Sequence, residues 1–149
     1  MRSISFVVVL CLVLVGGQLA AQTSIEIGTV ASGASFEPGV HAPWGIASIF
    51  VSGITVSGIV QASSLPLPFE LEGVRVAVGG IPAPLFAVAE LAQYQNGQQL
   101  NIQMPDYSGA VVNNGGELWV EVVVEQNGRR AAKMQRLRRD RAGEFFFSP

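Results

Sequence analysis

The sequence predicts an all-β protein, a sandwich or barrel of seven or eight short strands. Three observations carry that prediction. Apolar residues alternate with polar ones or run in short β-branched stretches, the period-2 pattern of half-buried strands. Between those stretches fall Gly79-Gly80, Asn96-Gly97, Asn114-Gly115 and Asn127-Gly128, pairs that tolerate the positive φ of tight hairpins. A helical look is confined to "LFAVAELAQYQ", residues 85–95, where Ala, Glu, Leu and Gln favour one helical turn at 89–95.

The first residues stand apart. Arg2 precedes an unbroken apolar run from Phe6 to Val15, and Leu19-Ala20-Ala21 offers small residues for cleavage. This is the pattern of a secretory signal peptide, residues 1–21, and it is too short to span a bilayer comfortably. Cys11 lies inside the run behind Leu10, without the small residue a lipid-attachment cysteine wants before it. The expected mature chain starts at Gln22 and forms a single domain, residues 22–149, with no cysteine and no membrane span. An exported chain without disulfides holds together by burial, and a chain of this size buries about two-thirds of its unfolded surface. Removing Arg2 leaves 8 cations against 11 acidic residues, a net charge of −3. Nothing in that balance points to nucleic acid or an anionic membrane.

The strands follow in order. Residues 23–30 alternate Thr, Ser, Ile, Glu, Ile, Gly, Thr, Val. Residues 45–51, "GIASIFV", form a second strand, and "VSGITVSGIV", 51–60, reads as glycine-broken strand or loop. Val74, Val76 and Val78 alternate with Arg75 and Ala77 in a third, which turns at Gly79-Gly80 into "APLFAVA", 83–89. Pro82 and Pro84 lack N–H donors, so they stiffen an extended segment and blunt a sheet edge. "QLNIQM" (99–104), "ELWVEVVVEQ" (117–126), "RRAAKMQRLR" (129–138) and "EFFF" (144–147) complete the set. In the last, if it is a strand, Phe145 and Phe147 point one way and Phe146 the other. The inward positions predict a core of Phe36, Ile49, Val74, Val76, Val78, Leu85, Phe86, Leu100, Ile102, Leu118, Val120 and Val122.

Catalytic patterns are scarce. His41 is the single histidine and reads as a loop residue; with no partner His or Cys it makes no recognisable zinc site. No Gly-x-Ser-x-Gly, phosphate loop, dinucleotide fingerprint or N-x-Ser/Thr acceptor occurs. Glu70 and Glu72, placed on one strand face, and Glu117, Glu121 and Glu125 lie where an exposed sheet would put them. The reading is non-catalytic, with no cofactor and no metal.

The loudest local feature is basic. Arg129, Arg130, Lys133, Arg136, Arg138, Arg139 and Arg141 crowd the end of the chain. If Asn127-Gly128 is a two-residue turn, paired residue numbers sum to 255. Glu125 then faces Arg130, Glu117 faces Arg138, and Trp119 faces Arg136 in a cation–π geometry. The same register puts Lys133 and Gln135 on the apolar face of Leu118, Val120, Val122 and Val124. Either the hairpin is an edge with snorkelling stems, or a bulge shifts it. Trp44, after Ala42-Pro43, would stack on a sugar or anchor a partner, or else cover the end of the core. Candidate contact residues are therefore Trp44, Tyr94, Trp119, Arg136, Arg138 and Arg139. The candidate partner is an extracytoplasmic protein. A glycan bound through Trp44, Tyr94 or Tyr107 is the competing reading.

With these elements placed, "ASFEPG" (34–39), "ASIF" (47–50), "LEGVRVAVGGIPAPLF" (71–86), "QLNIQMP" (99–105) and the late Asn127-Gly128 resemble the Solibacter-type uncharacterised C-terminal domain of secreted acidobacterial proteins. The resemblance spans about residues 30–147 and is most specific over 71–86. It implies an exported immunoglobulin-like β-sandwich and carries over no catalytic or ligand residue. Three features depart from it: the signal directly before the domain, the long segment 89–98, and the arginine-rich final strand.

Overall fold

A computed structural model describes residues 24–92 and 97–138. The signal peptide and its cut at Gln22, Tyr94, Asn96, Arg139, Arg141 and the strand expected at 144–147 lie outside the described residues. Among the described residues ten strands form two antiparallel sheets. They are β1 (Glu26–Ser32), β2 (Ile46–Ser52), β3 (Ile59–Gln61), β4 (Val74–Val78), β5 (Ile81–Ala83), β6 (Leu85–Leu91), β7 (Gly97–Gln103), β8 (Val112–Asn114), β9 (Glu117–Gln126) and β10 (Arg129–Arg136). One sheet runs β1-β2-β7-β6-β3, the other β10-β9-β4-β5, with β8 beside β9. With β3 set aside as an added edge, β1, β2, β7 and β6 take the order of immunoglobulin strands A, B, E and D. In the facing sheet β4, β9 and β10 take that of C, F and G. The fold is an all-β sandwich.

The core lies between the two inner faces. Ile49, Leu85, Leu100 and Ile102 from one sheet meet Val74, Val78, Val120 and Val122 from the other, each without solvent exposure. Three core expectations change. Leu118 is only half-buried, packed against the core's margin. Phe86 is half-buried because a register shift between Leu85 and Ala87 takes it out of the inward row. Phe36 is 57% exposed: it has φ of 57° and donates its N–H to the Ser32 carbonyl, so it closes a turn after β1 instead of continuing a strand.

The stretch "GGIPAPLF" joins the sheets. Gly79 and Gly80, at φ 58° and 78°, make the two-residue turn between Val78 and Ile81. β5 is the edge of its sheet, so Pro82 removes no ladder donor that a neighbour needs. Pro84 then separates β5 from β6, which belongs to the other sheet. What reads as one strand over 83–89 is thus a crossover at a residue with no N–H to give. The helical turn expected from residue 89 is strand as far as Leu91. Ala89, Glu90 and Leu91 pair with Gln99, Gln98 and Gly97, and the ladder overrides the local propensity. Residues 51–60 divide as expected into a strand end, a loop and the short β3. Glu72 is not on a strand face: at φ 51° it forms the turn that leads into β4.

Candidate functional site

The β9–β10 hairpin builds the site. Asn127 and Gly128, at φ 51° and 78°, form a two-residue turn, and pairing runs from Gln126–Arg129 to Trp119–Arg136 without a shift. On the outer face, Arg130 Nε lies 3.3 Å from Glu125 and Arg136 Nη2 lies 3.0 Å from Glu117. The expected partner of Glu117 was Arg138, but β10 ends at Arg136. Trp119 does sit opposite Arg136, whose guanidinium is held toward the Glu117 carboxylate.

The inward positions explain Lys133. β1 has one extra residue between Ile27 and Val30, where its register against β2 shifts. Lys133 Nζ donates to the carbonyls of Ile27 and Gly28, at 3.0 and 2.9 Å. The hairpin is therefore an edge with a snorkelling stem, and no bulge corrects its register. Next along β10, Gln135 has a buried Nε2 with no hydrogen-bond partner among the described residues. Beyond it, Val40 donates to the Arg136 carbonyl and accepts from the Arg138 N–H, a short parallel bridge across the edge.

Between the β1 bulge, Pro38-Gly39, the start of β9 and residues 133–138 at the end of β10 lies a groove of about 900 Å³. Trp119, Arg136 and Arg138 line it together with Lys133, Gln135 and Glu117. Three cations and one carboxylate make it cationic, while Val30, Leu118, Met134 and Leu137 give it apolar walls. Trp44 is elsewhere, 61% exposed on the loop before β2, with its N–H bonded to the Met104 carbonyl. Tyr94 and Arg139 lie outside the described residues. The sequence singled out three of the groove's residues and flagged Lys133 and Gln135 only as a conflict. That conflict, polar residues on an apolar face, was the signal of an edge strand beside a cleft.

A second concavity of about 730 Å³ sits on the outer face of β4 and β5, under Pro68 and Phe69, floored by Ala77, Val123 and Pro82. Sequence reasoning missed it, because Phe69 reaches it from a loop without periodicity. The remaining polar groups are structural. His41 Nε2 donates to the Glu37 carbonyl at 3.0 Å, and Tyr107 donates its hydroxyl to the His41 carbonyl. Burial, and secondarily the Asp106 charge, push the Tyr107 phenol up to about 12. Asp106 is held below the usual carboxylate range by the Ser108 hydroxyl and N–H. Among the described residues no three His, Cys, Asp or Glu side chains are grouped to hold a metal. Nor does any described helix have the length and apolarity to cross a membrane.

Comparison of the chain with protein-family models, curated proteins and solved structures returned no match.

Proposed function

We propose that this is an exported, non-catalytic β-sandwich module that binds another extracytoplasmic protein through the groove beside β10. The observation that carries the reading is the convergence of Trp119, Arg136 and Arg138 in one cleft beside β10, which is an edge strand among the described residues. Aromatic and arginine side chains are the residues that most often anchor protein contacts, and an edge strand offers backbone groups to an added strand. The Solibacter-type resemblance agrees with an exported module of this kind. A glycan-binding reading rests on the exposed Trp44 ring, which is free to stack on a sugar.

The test is a pull-down from envelope extract with the full chain and its Arg136/Arg138/Arg139→Ala variant, both checked for the same thermal transition. A protein captured by the first and lost by the second supports the groove. Equal capture by both removes it as the partner site. A glycan array, run beside a Trp44→Ala variant, decides the competing reading: sugar binding abolished by that change would make Trp44 the contact.

A further inference from the structure

The sheet that does not contain β10 has an outer face that is polar at its centre and carries no charge there. Paired residues of neighbouring strands share a face, so the ladders define its rows. One row crosses all five strands: Ala31 on β1, Ser48 on β2, Asn101 on β7, Ala87 on β6 and Gln61 on β3. Phe50 and Gln99 flank it on one side, Ile46 and Gln103 on the other. The residues between these rows, Ile49 and Leu100, are in the core, so the rows themselves face away from it. Among the described residues no strand or helix makes a third layer over them. Short side chains at Ala31, Ser48 and Ala87, between longer ones on both flanks, make a shallow trough across the strands. We propose that this trough binds a neutral oligosaccharide.

The occupant follows from the chemistry at the centre. Gln99 Nε2 donates to Ser48 Oγ (3.2 Å) and to Asn101 Oδ1 (2.8 Å), and Ser48 Oγ donates to the same Asn101 oxygen (2.9 Å). This network uses both N–H groups of Gln99 and both lone pairs of the Asn101 oxygen. It leaves Gln99 Oε1 as an acceptor and Asn101 Nδ2 as a donor, held side by side by the bond between the two amides. A fixed acceptor next to a fixed donor suits adjacent sugar hydroxyls, each of which donates and accepts. Phe50, half-buried and paired with Gln99, adds an aromatic side chain for the apolar face of a pyranose ring. No Asp, Glu, Lys or Arg stands in the row or at its flanking positions, so the complementary ligand is uncharged. A protein partner fits less well. Protein interfaces are apolar at the centre and polar at the rim, whereas here Gln99, Asn101 and Gln103 hold the central strand and Ile59 is exposed at the edge. Five strands at about 4.8 Å spacing make the trough about 19 Å long, room for several sugar rings in line.

The trough shares no residue with the β10 groove and does not use Trp44, so the pull-down can succeed or fail without touching it. Native electrophoresis of the full chain tests it, in gels containing soluble β-glucan, arabinoxylan, xyloglucan, galactomannan or dextran, with polygalacturonate as the charged comparison. At least one neutral polymer should retard both the parent and Trp44→Ala, and polygalacturonate should retard neither. Gln99→Ala/Asn101→Ala, checked for the parent's thermal transition, should lose that retardation. A second readout needs no substitution. The side-chain amide NMR signals of Gln99 and Asn101 should shift when an oligosaccharide of the retarding polymer is added, and those of Gln135, in the groove, should stay. If the double variant does not fold, these signals decide alone. No retardation by any neutral polymer overturns the proposal, as does retardation by polygalacturonate only. Retardation that survives loss of both amides, or amide signals that do not move, overturns it as well. Retardation lost with Trp44 alone overturns it by moving the sugar to the loop before β2.

Discussion

The two ends of the β9–β10 hairpin carry a glutamine each, and the two are in opposite states. Gln126, at the turn end, is 1% exposed and fully engaged. Its amide nitrogen donates to the carbonyls of Thr55 (2.7 Å) and Glu72 (3.0 Å), and its oxygen accepts from the Thr55 N–H (2.7 Å) and Arg129 (3.1 Å). Arg129 adds a bond to the Gly53 carbonyl at 2.6 Å. Three separate pieces of chain, the loop after β2, the turn before β4 and the hairpin, are thus tied at one point. Gln135, at the groove end, has a buried donor without an acceptor among the described residues. Native structures rarely leave such a group unsatisfied, so the two ends of the hairpin differ in how fully their buried polar groups are paired.

The largest effects expected from this contrast come from replacing each glutamine by leucine. Gln126→Leu strands several buried groups at once and should lower unfolding free energy by about 3 kcal/mol. Gln135→Leu removes a buried donor that has no acceptor among the described residues, and should cost close to nothing. Urea denaturation of the two variants gives both numbers. Equal losses for the two glutamines would erase the distinction between the ends.

How much of the contrast was legible in the sequence depends on what fixes each residue's neighbours. The register of β9 against β10 was, because Asn127-Gly128 sets it locally and every later pair follows by counting. The same counting exposed Lys133 and Gln135 as polar residues facing inward. The acceptors of Lys133 were not legible, since they are backbone carbonyls at a bulge 105 residues away in the chain. Gln126 was not noticed at all, for its partners come from loops with no periodicity. The crossover at Pro84 was missed because both of its sides are strand, and the sheet to which each belongs is a tertiary fact. Phe36 and Phe86 were misplaced by reading strand alternation through a turn and a bulge.

The next effect concerns a buried phenol. Tyr107 is 3% exposed and bonds the His41 carbonyl, next to the segment that pairs with β10. Tyr107→Phe should cost about 1–1.5 kcal/mol near neutral pH. Its pH signature is more specific. The folded phenol titrates at about 12, above the ordinary 10, so folding favours the protonated form. The stabilisation is whole below pH 10 and is lost as pH rises from 10 toward 12. Melting temperature should fall over that window in the parent and fall less in Tyr107→Phe. Parallel curves would mean that the phenol titrates normally.

Lys133→Met keeps the apolar stem and removes the ammonium from the carbonyls of Ile27 and Gly28. Those oxygens are near the surface and can turn to water, so a loss of about 1 kcal/mol is expected, with faster amide exchange at the β1 bulge. The turn end, held by Gln126 instead, should show no change in exchange. Equal acceleration at both ends would show that the hairpin opens as one unit.

The smallest effect is expected on the outer face, where charge is most conspicuous. Arg130 lies 3.3 Å from Glu125 and 3.9 Å from Glu121, yet about half of each side chain is in water. Solvent screening and the entropy of holding long side chains leave such a pair worth roughly 0.2–1 kcal/mol. A double-mutant cycle of Arg130→Ala and Glu125→Ala should therefore give a coupling at the low end of that range, shrinking further in 0.5 M salt. The cycle also tests the comparison itself. If the groove is the functional end, the outer ladder of β10 serves solubility and register, and binding measured on the Arg130→Ala variant should match the parent. Binding that falls as far as it does on losing Arg136 and Arg138 would spread the site over the whole arginine strand and dissolve the difference between its ends.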